Sequence, residues 1–375
     1  MVTVRRVLFP FVGNTIGGSH ISTLTLAAGL DRTRFDPVIA LHHEGQLADH
    51  LHDQGLPYVR VPHVTTVGTG RVLPRFAAAT RCAMTLAPFL RQNKISVVHT
   101  GDMAMHLTWG LAARMAGAKF VWHQRSPTDL GRSEAFTNLA NAILVISEFC
   151  RQSYQGRANR RALIVPNPIV DDSRCWNRQI ARALILERLS AAPDSFIVAF
   201  VGNLTSRKRP LVFVEAAARL TDRFGPRVKF LLFGEERMPV AAEVRRRIAE
   251  LSLESICHIM GACFPIEKWL AGCDLLLAPA VNEGFGRVLV EAMRVGTPVI
   301  AAASGGHVEI IETGINGILS PPDNPEALAG TAAELLESPA QAAELAERAL
   351  AIAAERYGVK RHVAQVEGVY TELFR

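Results

Sequence analysis

The 375-residue chain is long enough for two domains of ordinary size, each with its own core. With 49% apolar and 20% charged residues it has the composition of a folded globular protein rather than a disordered one, and no run approaches the roughly 18 uncharged apolar residues of a membrane span. The net charge of +6 is uneven: residues 1–170 carry 18 Lys and Arg against 9 Asp and Glu, and residues 171–375 carry 23 against 26.

A basic first half attracts nucleic acid, an anionic membrane surface or a phosphorylated small molecule. Nucleic acid is not expected, because no helix-turn-helix, zinc finger or aromatic RNA-binding signature accompanies the charge. The six cysteines form no C-x-x-C pair, and Cys257 and Cys263, which flank His258, lack zinc spacing. Reduced thiols in a cytoplasmic protein without a metal site are the expectation.

Val4 to Val12 reads as a strand, Gly13 to Ser19 as a glycine corner, and the following stretch as a helix with Ile21, Leu24 and Ala28 on one face. The corner is not G-x-G-x-x-G, and no acidic residue ends the second strand, Val38 to Leu41, to hold a ribose. Alternation continues through Val97–His99, Met103–Ala116, Phe120–His123, Ala142–Ser147 and Leu163–Pro166, which implies a parallel sheet covered on both faces. His123 ends a strand, where side chains emerge into a crevice, and Arg125 two residues later suits an acceptor or phosphate contact. Between these strands, residues 71–91 mix Leu73, Phe76, Met84, Leu86, Phe89 and Leu90 with Arg71, Arg75, Arg81 and Arg91. Such a helix either lies on an anionic bilayer or packs on its own sheet.

Val165-Pro-Asn-Pro-Ile169 and the polar stretch 171–178 mark a joint. A second alternating unit follows: strand Phe196–Val201, the loop Gly202 to Pro210, an amphipathic helix to Leu220, then strands Val228–Phe233 and Cys257–Met260. Cys273 to Pro279 is a further strand running into Ala280 to Ala292, AVNEGFGRVLVEA, whose glycines sit at a strand-to-helix corner. The free N–H groups of the helix starting there favour a phosphate, and Glu283 and Glu291 frame it. Thr297–Ala301, Ile318-Leu319 and helices over 323–355, broken at Ser338-Pro339, complete the unit before a last amphipathic segment, Val359 to Phe374.

Glu283-Gly-Phe-Gly, Glu291-Ala-Met, Gly296-Thr-Pro-Val-Ile and Gly305-Gly306 together resemble the nucleotide-sugar half of the retaining family-4 glycosyltransferases of GT-B architecture, and the resemblance covers nearly the whole chain. It implies an α/β fold of two Rossmann-like domains with parallel sheets facing across a cleft. Residues 1–170 would bind the acceptor, 171–358 the nucleotide sugar, and a helix over 359–375 would cross back onto the first domain. By the same resemblance Glu283, Lys208 and His123 are the catalytic candidates. Gly17, Gly18, Gly202, Asn203, Arg207, Arg209, Gly284, Phe285, Gly286, Val288 and Glu291 would bind the donor, and Arg125 would lie on the acceptor side.

Two departures stand out. Asn203 occupies the place of the family's arginine, with Arg207 or Arg209 as substitutes, and Pro168 and Val170 replace the usual glycine and aspartate of the Pro-Asn loop. The implied reaction is metal-independent, retaining transfer of a sugar from a nucleoside-diphosphate donor, the substrate, with no cofactor, to a glycan, glycolipid or small-molecule acceptor. Cell-envelope synthesis on the inner face of the membrane is the implied setting. A non-catalytic nucleotide-sugar-binding subunit and a nucleotide-sugar epimerase are the alternatives.

Overall fold

The computed structural model describes residues 4–68, 72–127, 131–170 and 176–375. Arg71 and the stretch 171–175 of the predicted joint, with Cys175, lie outside them. The chain forms two compact units, residues 1–168 with 359–375 and residues 169–358.

The first unit contains β1 (Arg5–Phe11), α1 (Gly18–Gly29), β2 (Phe35–Leu41), α2 (Gln46–Asp53), β3 (Val59–Arg60), α3 (Val72–Gln92), β4 (Ile95–Thr100), α4 (Met103–Ala116), β5 (Lys119–Gln124), β6 (Ala142–Val145), α5 (Glu148–Gln152), α6 (Gly156–Arg161) and β7 (Ala162–Ile164). Its parallel sheet has the order β3-β2-β1-β4-β5-β6-β7. The strands are apolar nearly throughout because helices cover both faces. Val7, Phe9 and Phe11 of β1 share one buried cluster with Leu24, Leu26 and Ala27 of α1. Ala28 is exposed, so the inward face of α1 is turned slightly from the expected one.

The amphipathic helix α3 also differs in detail from its sequence reading. Ala79, Cys82, Ala83, Leu86, Ala87 and Leu90 form its buried stripe, and the helix packs on α4. Phe76 and Met84, 43% and 59% exposed, fall outside that stripe, Phe76 stacking on Phe136 at 4.3 Å. Ala79, Cys82, Ala83 and Ala87 share the packing with Leu86 and Leu90, and this stripe is occupied within the unit.

The second unit contains α7 (Arg178–Leu189), β8 (Phe196–Val201), α8 (Pro210–Phe224), β9 (Val228–Phe233), α9 (Val240–Glu250), β10 (Cys257–Gly261), α10 (Glu267–Leu270), β11 (Leu275–Ala278), α11 (Arg287–Arg294), β12 (Val299–Ala302), α12 (His307–Ile310), β13 (Ile318–Ser320), α13 (Pro325–Glu337) and α14 (Pro339–Tyr357). Its parallel sheet runs β10-β9-β8-β11-β12-β13. Asn324 caps α13 through its Oδ1, Pro325 and Pro339 occupy first-turn positions that need no N–H, and Ser338 lies between α13 and α14.

The last helix, α15 (Val359–Glu372), belongs to the first unit, where Val363, Val366 and Tyr370 join the cluster built on β1. Among the described residues no helix is long and apolar enough to cross a membrane.

Candidate functional site

In the second sheet the strand order reverses between β8 and β11, so the loops leaving their carboxyl ends part and open a crevice, the usual ligand position in such sheets. The β8 loop carries Gly202 to Arg209, and the β11 loop carries Ala280 to Gly286. The two are tied by Val281 N–H donating to the Arg207 carbonyl at 3.0 Å. A third loop, after β12, closes on the second: Gly306 N–H donates to the Glu283 carbonyl at 2.7 Å, and Asn282 N–H to Ser304 Oγ at 3.0 Å.

Gly305 makes this contact sterically feasible. A Cβ there would stand 2.5 Å from the Glu283 carbonyl oxygen, and its φ of +59° is one that side-chain-bearing residues rarely adopt. Gly202 has a similar part, because the Lys208 side chain passes 3.0 Å from where its Cβ would be.

Lys208 thereby reaches Glu283, with Nζ 2.9 Å from Oε2, and Arg207 pairs with the same oxygen. The Glu283 side chain is 16% exposed. Burial pushes its pKa up, but Lys208 and Arg207 together outweigh that push and hold the carboxyl below its usual range. Two cations and one carboxylate thus converge at the crevice, with His307, buried at the start of α12, close enough to add to the field on Glu283. His307 went unnoticed in the sequence, although it follows Gly305-Gly306 directly.

The remaining donor-side candidates divide. Glu291 lies on α11 with its side chain 12% exposed, accepting from Arg287 Nη2 at 2.9 Å. Gly284 and Gly286 lie on the corner itself, whereas Phe285 and Val288 are buried, Phe285 edge-on to Tyr357 at 5.4 Å. The Phe285 side chain therefore anchors the corner. Of the two arginines proposed as substitutes, Arg207 meets Glu283, while Arg209 forms a two-pronged pair with Asp323 at 2.6 and 3.2 Å. Asn203 is engaged elsewhere, since its Oδ1 accepts from Glu235 N–H at 3.0 Å and braces the β8 and β9 loops.

In the first unit the order reverses between β1 and β4. Gly17 and Gly18 are exposed at the start of α1, whose first turn has no side-chain cap. His123 is the penultimate residue of β5, not its last, and does not emerge into a crevice; its ring is fully buried. His99 Nε2 lies 3.1 Å from His123 Nδ1, Arg125 Nη2 lies 3.3 Å from it, and the His362 ring stacks at 6.0 Å. Burial, then Arg125, then the neighbouring imidazoles hold the His123 pKa well below its usual value. Arg125 is itself buried, and its Nη1 donates to Asn167 Oδ1 at 2.5 Å, so the Pro-Asn loop serves the first unit here. Among the described residues no three His, Cys, Asp or Glu side chains form a metal-sized group.

Buried imidazoles make stability fall with acidity. Burial lowers the pKa of His106 and His362 to about 3 and of His42 and His307 to about 4. The unfolded chain takes those protons near pH 6.5, so between about pH 6.5 and 4 it binds more protons than the native state and stability rises with pH. Each ring accounts for up to about 1.4 kcal/mol per pH unit in that window. The urea midpoint is expected to be level above about pH 7 and lower at pH 5; equal midpoints at pH 7.5 and 5 would contradict this.

The model of the family "Glycosyl transferases group 1" matches residues 182–351, and that of "Glycosyltransferase Family 4" matches residues 16–173. The D-inositol 3-phosphate glycosyltransferase of Streptomyces bingchenggensis is 32% identical over 202 residues, covering 52% of this chain and 44% of its own length. The alpha-D-kanosaminyltransferase of Streptomyces kanamyceticus is 27% identical over 239 residues, covering 62% of this chain and 61% of its own. The chain spans about half the length of the curated relatives it matches. HepE of Anabaena, solved in complex with UDP and glucose, superposes with a TM-score of 0.81 at 22% identity over 97% of this chain and 99% of that one. A glycosyltransferase from Rickettsia africae superposes at 0.85 with 20% identity over 99% of each chain. The two sheets are those of the GT-B fold, and with a glycosyltransferase model matching each half, the chain belongs to the family-4, group 1 glycosyltransferases.

Proposed function

We propose that the chain transfers a sugar from a nucleoside-diphosphate donor to an acceptor hydroxyl, with retention of anomeric configuration and without a divalent ion. The observation that carries this reading is the convergence of Lys208 and Arg207 on Glu283 at the reversal point of the second sheet. A diphosphate is a stronger claimant on two cations than one carboxylate, so donor binding would draw Lys208 and Arg207 to the pyrophosphate and free Glu283 to orient the sugar hydroxyls. The N–H groups opening α11 would add to the leaving group's stabilisation, and Glu291 would accept from the ribose hydroxyls.

In the reaction the bond from the anomeric carbon to the diphosphate oxygen breaks, its electron pair leaving with the diphosphate. The acceptor oxygen bonds to the same face, and its proton passes to the departing phosphate oxygen. Charge on the leaving group is met by protein cations, which is why a metal is not required. The basic first half favours an acceptor that carries phosphate, free or lipid-linked, and the relatives named for D-inositol 3-phosphate are consistent with that class.

The test is incubation with UDP-, GDP- and ADP-sugars and phosphorylated polyol or lipid acceptors. Nucleoside diphosphate release coupled to an α-linked product, undiminished by EDTA, is expected. Activity abolished by EDTA would sink the metal-free scheme, and a new sugar formed from donor alone would mark an epimerase. Glu291→Ala should weaken donor binding by about 1–3 kcal/mol in calorimetry; unchanged affinity would remove its role.

A further inference from the structure

His307 opens α12 directly behind the corner that carries Glu283, and the residue is only 1% exposed. Its Nδ1 lies 3.1 Å from the Ala302 carbonyl, an oxygen that can only accept, so Nδ1 holds a proton. The opposite edge of the ring faces the corner: a Cβ on Gly286 would stand 2.9 Å from His307 Cδ2 and 3.3 Å from Nε2. Burial keeps the ring neutral, so Nε2 presents a bare lone pair on that edge and has no hydrogen-bond partner among the described residues. The backbone ties the same two segments together, with Gly306 N–H on the Glu283 carbonyl at 2.7 Å.

The same two cations keep Glu283 charged and His307 uncharged. Burial is the largest cause of the low His307 pKa of about 4; Glu283 and the Ala302 carbonyl oppose it, and Lys208 and Arg207 reinforce it. For Glu283 burial pushes upward, while Lys208, Arg207 and then His307 pull the carboxyl down. On α11, packed against α12, Arg287 and Glu291 satisfy each other at 2.9 Å; Arg294 of α11 and Glu309 of α12 are the remaining charges on these two helices. A diphosphate that takes Lys208 and Arg207 would leave Glu283, 16% exposed, as a desolvated negative charge, which is costly unless it is neutralised or gains a partner. With the cations goes part of what keeps a proton off His307, and the negative charge of the diphosphate adds to the attraction.

We infer that His307 is a positioning residue that takes a proton from solvent onto Nε2 when the donor's diphosphate claims Lys208 and Arg207, and so becomes the positive partner that keeps Glu283 ionised and in place. The proton enters on the ring edge turned toward the corner, because Nδ1 is already protonated and engaged with Ala302. Donor binding is thereby coupled to proton uptake, and His307 acts on the sugar through Glu283 alone. This rests on the transfer reading, in which a diphosphate displaces the carboxylate from the two cations.

Calorimetry of donor binding in buffers of different ionisation heat counts the protons taken up. UDP-, GDP- and ADP-glucose are the probes, because a sugar-linked diphosphate, unlike a free nucleoside diphosphate, does not itself titrate near neutral pH. The parent should take up part of a proton at pH 7, more at pH 6 and little at pH 8, so its donor affinity should rise as the pH falls, by at most about tenfold per unit. His307→Gln should take up none, show a level donor affinity across that range, and lose about tenfold in kcat. Uptake that persists in His307→Gln would place the proton on Glu283 and overturn the inference, as would a parent that binds donor with no uptake. Nitrogen-15 NMR of the unliganded chain should show His307 neutral and protonated on Nδ1; a proton on Nε2 would also overturn it, whatever the activity. A chain that binds none of the three nucleotide sugars would instead overturn the transfer reading, and the inference falls with it.

Discussion

Glu283→Gln is expected to lower kcat by about a hundredfold while leaving nucleoside diphosphate binding intact or tighter. The two halves of this result have separate causes. In the unliganded chain Glu283 holds Lys208 and Arg207, so it competes with a diphosphate for both cations. The amide has the same shape and no charge, which ends the competition and removes a binding cost. Turnover still falls, because the amide cannot accept from sugar hydroxyls at both oxygens and the anomeric carbon loses its alignment with the attacking oxygen. Calorimetry with the nucleoside diphosphate and steady-state kinetics on one sample read both halves. Loss of binding together with loss of turnover would mean that Glu283 is needed to hold the site together and would remove its assigned role on the sugar.

Lys208→Ala should lower kcat by roughly 10²–10³-fold, with a smaller change in donor affinity, because its charge is most needed when the diphosphate departs. Arg207→Ala should cost less. The Lys208 side chain is 20% exposed and that of Arg207 48%, and a cation in the drier position acts through a lower effective dielectric. Removing Lys208 also leaves Arg207 alone against the burial that pushes the Glu283 pKa up, so the acid limb of the pH–rate profile should move to higher pH. Equal losses from the two substitutions would mean that both cations act from solvent-like positions, contrary to this geometry.

Much of the fold was legible in the sequence. Unbroken apolar runs such as Phe196–Val201 and Val228–Phe233 can be little other than buried strands, and both occur with those bounds. Met103–Ala116 was an equally plain helix and occurs with those bounds, and the helix expected to start at the second glycine corner is α11. The two-residue strand β3 was missed because so short an edge carries no period. At the site, the glycine corners and Glu283 were readable because only glycine fits where loops touch, as at Gly305.

What escaped was pairing across long separations. Nothing local distinguishes Arg207 from Arg209, and only the folded loops send one to Glu283 and the other to Asp323, 114 positions away. The burial of His123 was hidden for the same reason, since the rings that surround it come from β4 and α15.

The first unit is finished last. Its core waits for Val363, Val366 and Tyr370, so while the ribosome is still reading residues 169–358 the earlier sheet stands with one flank unsealed. The second unit, contiguous in sequence, can complete itself first. Vectorial synthesis therefore runs against the usual N-to-C order in this chain, and a nascent protein stalled before the final helix would expose the hydrophobic side of β1 to chaperones.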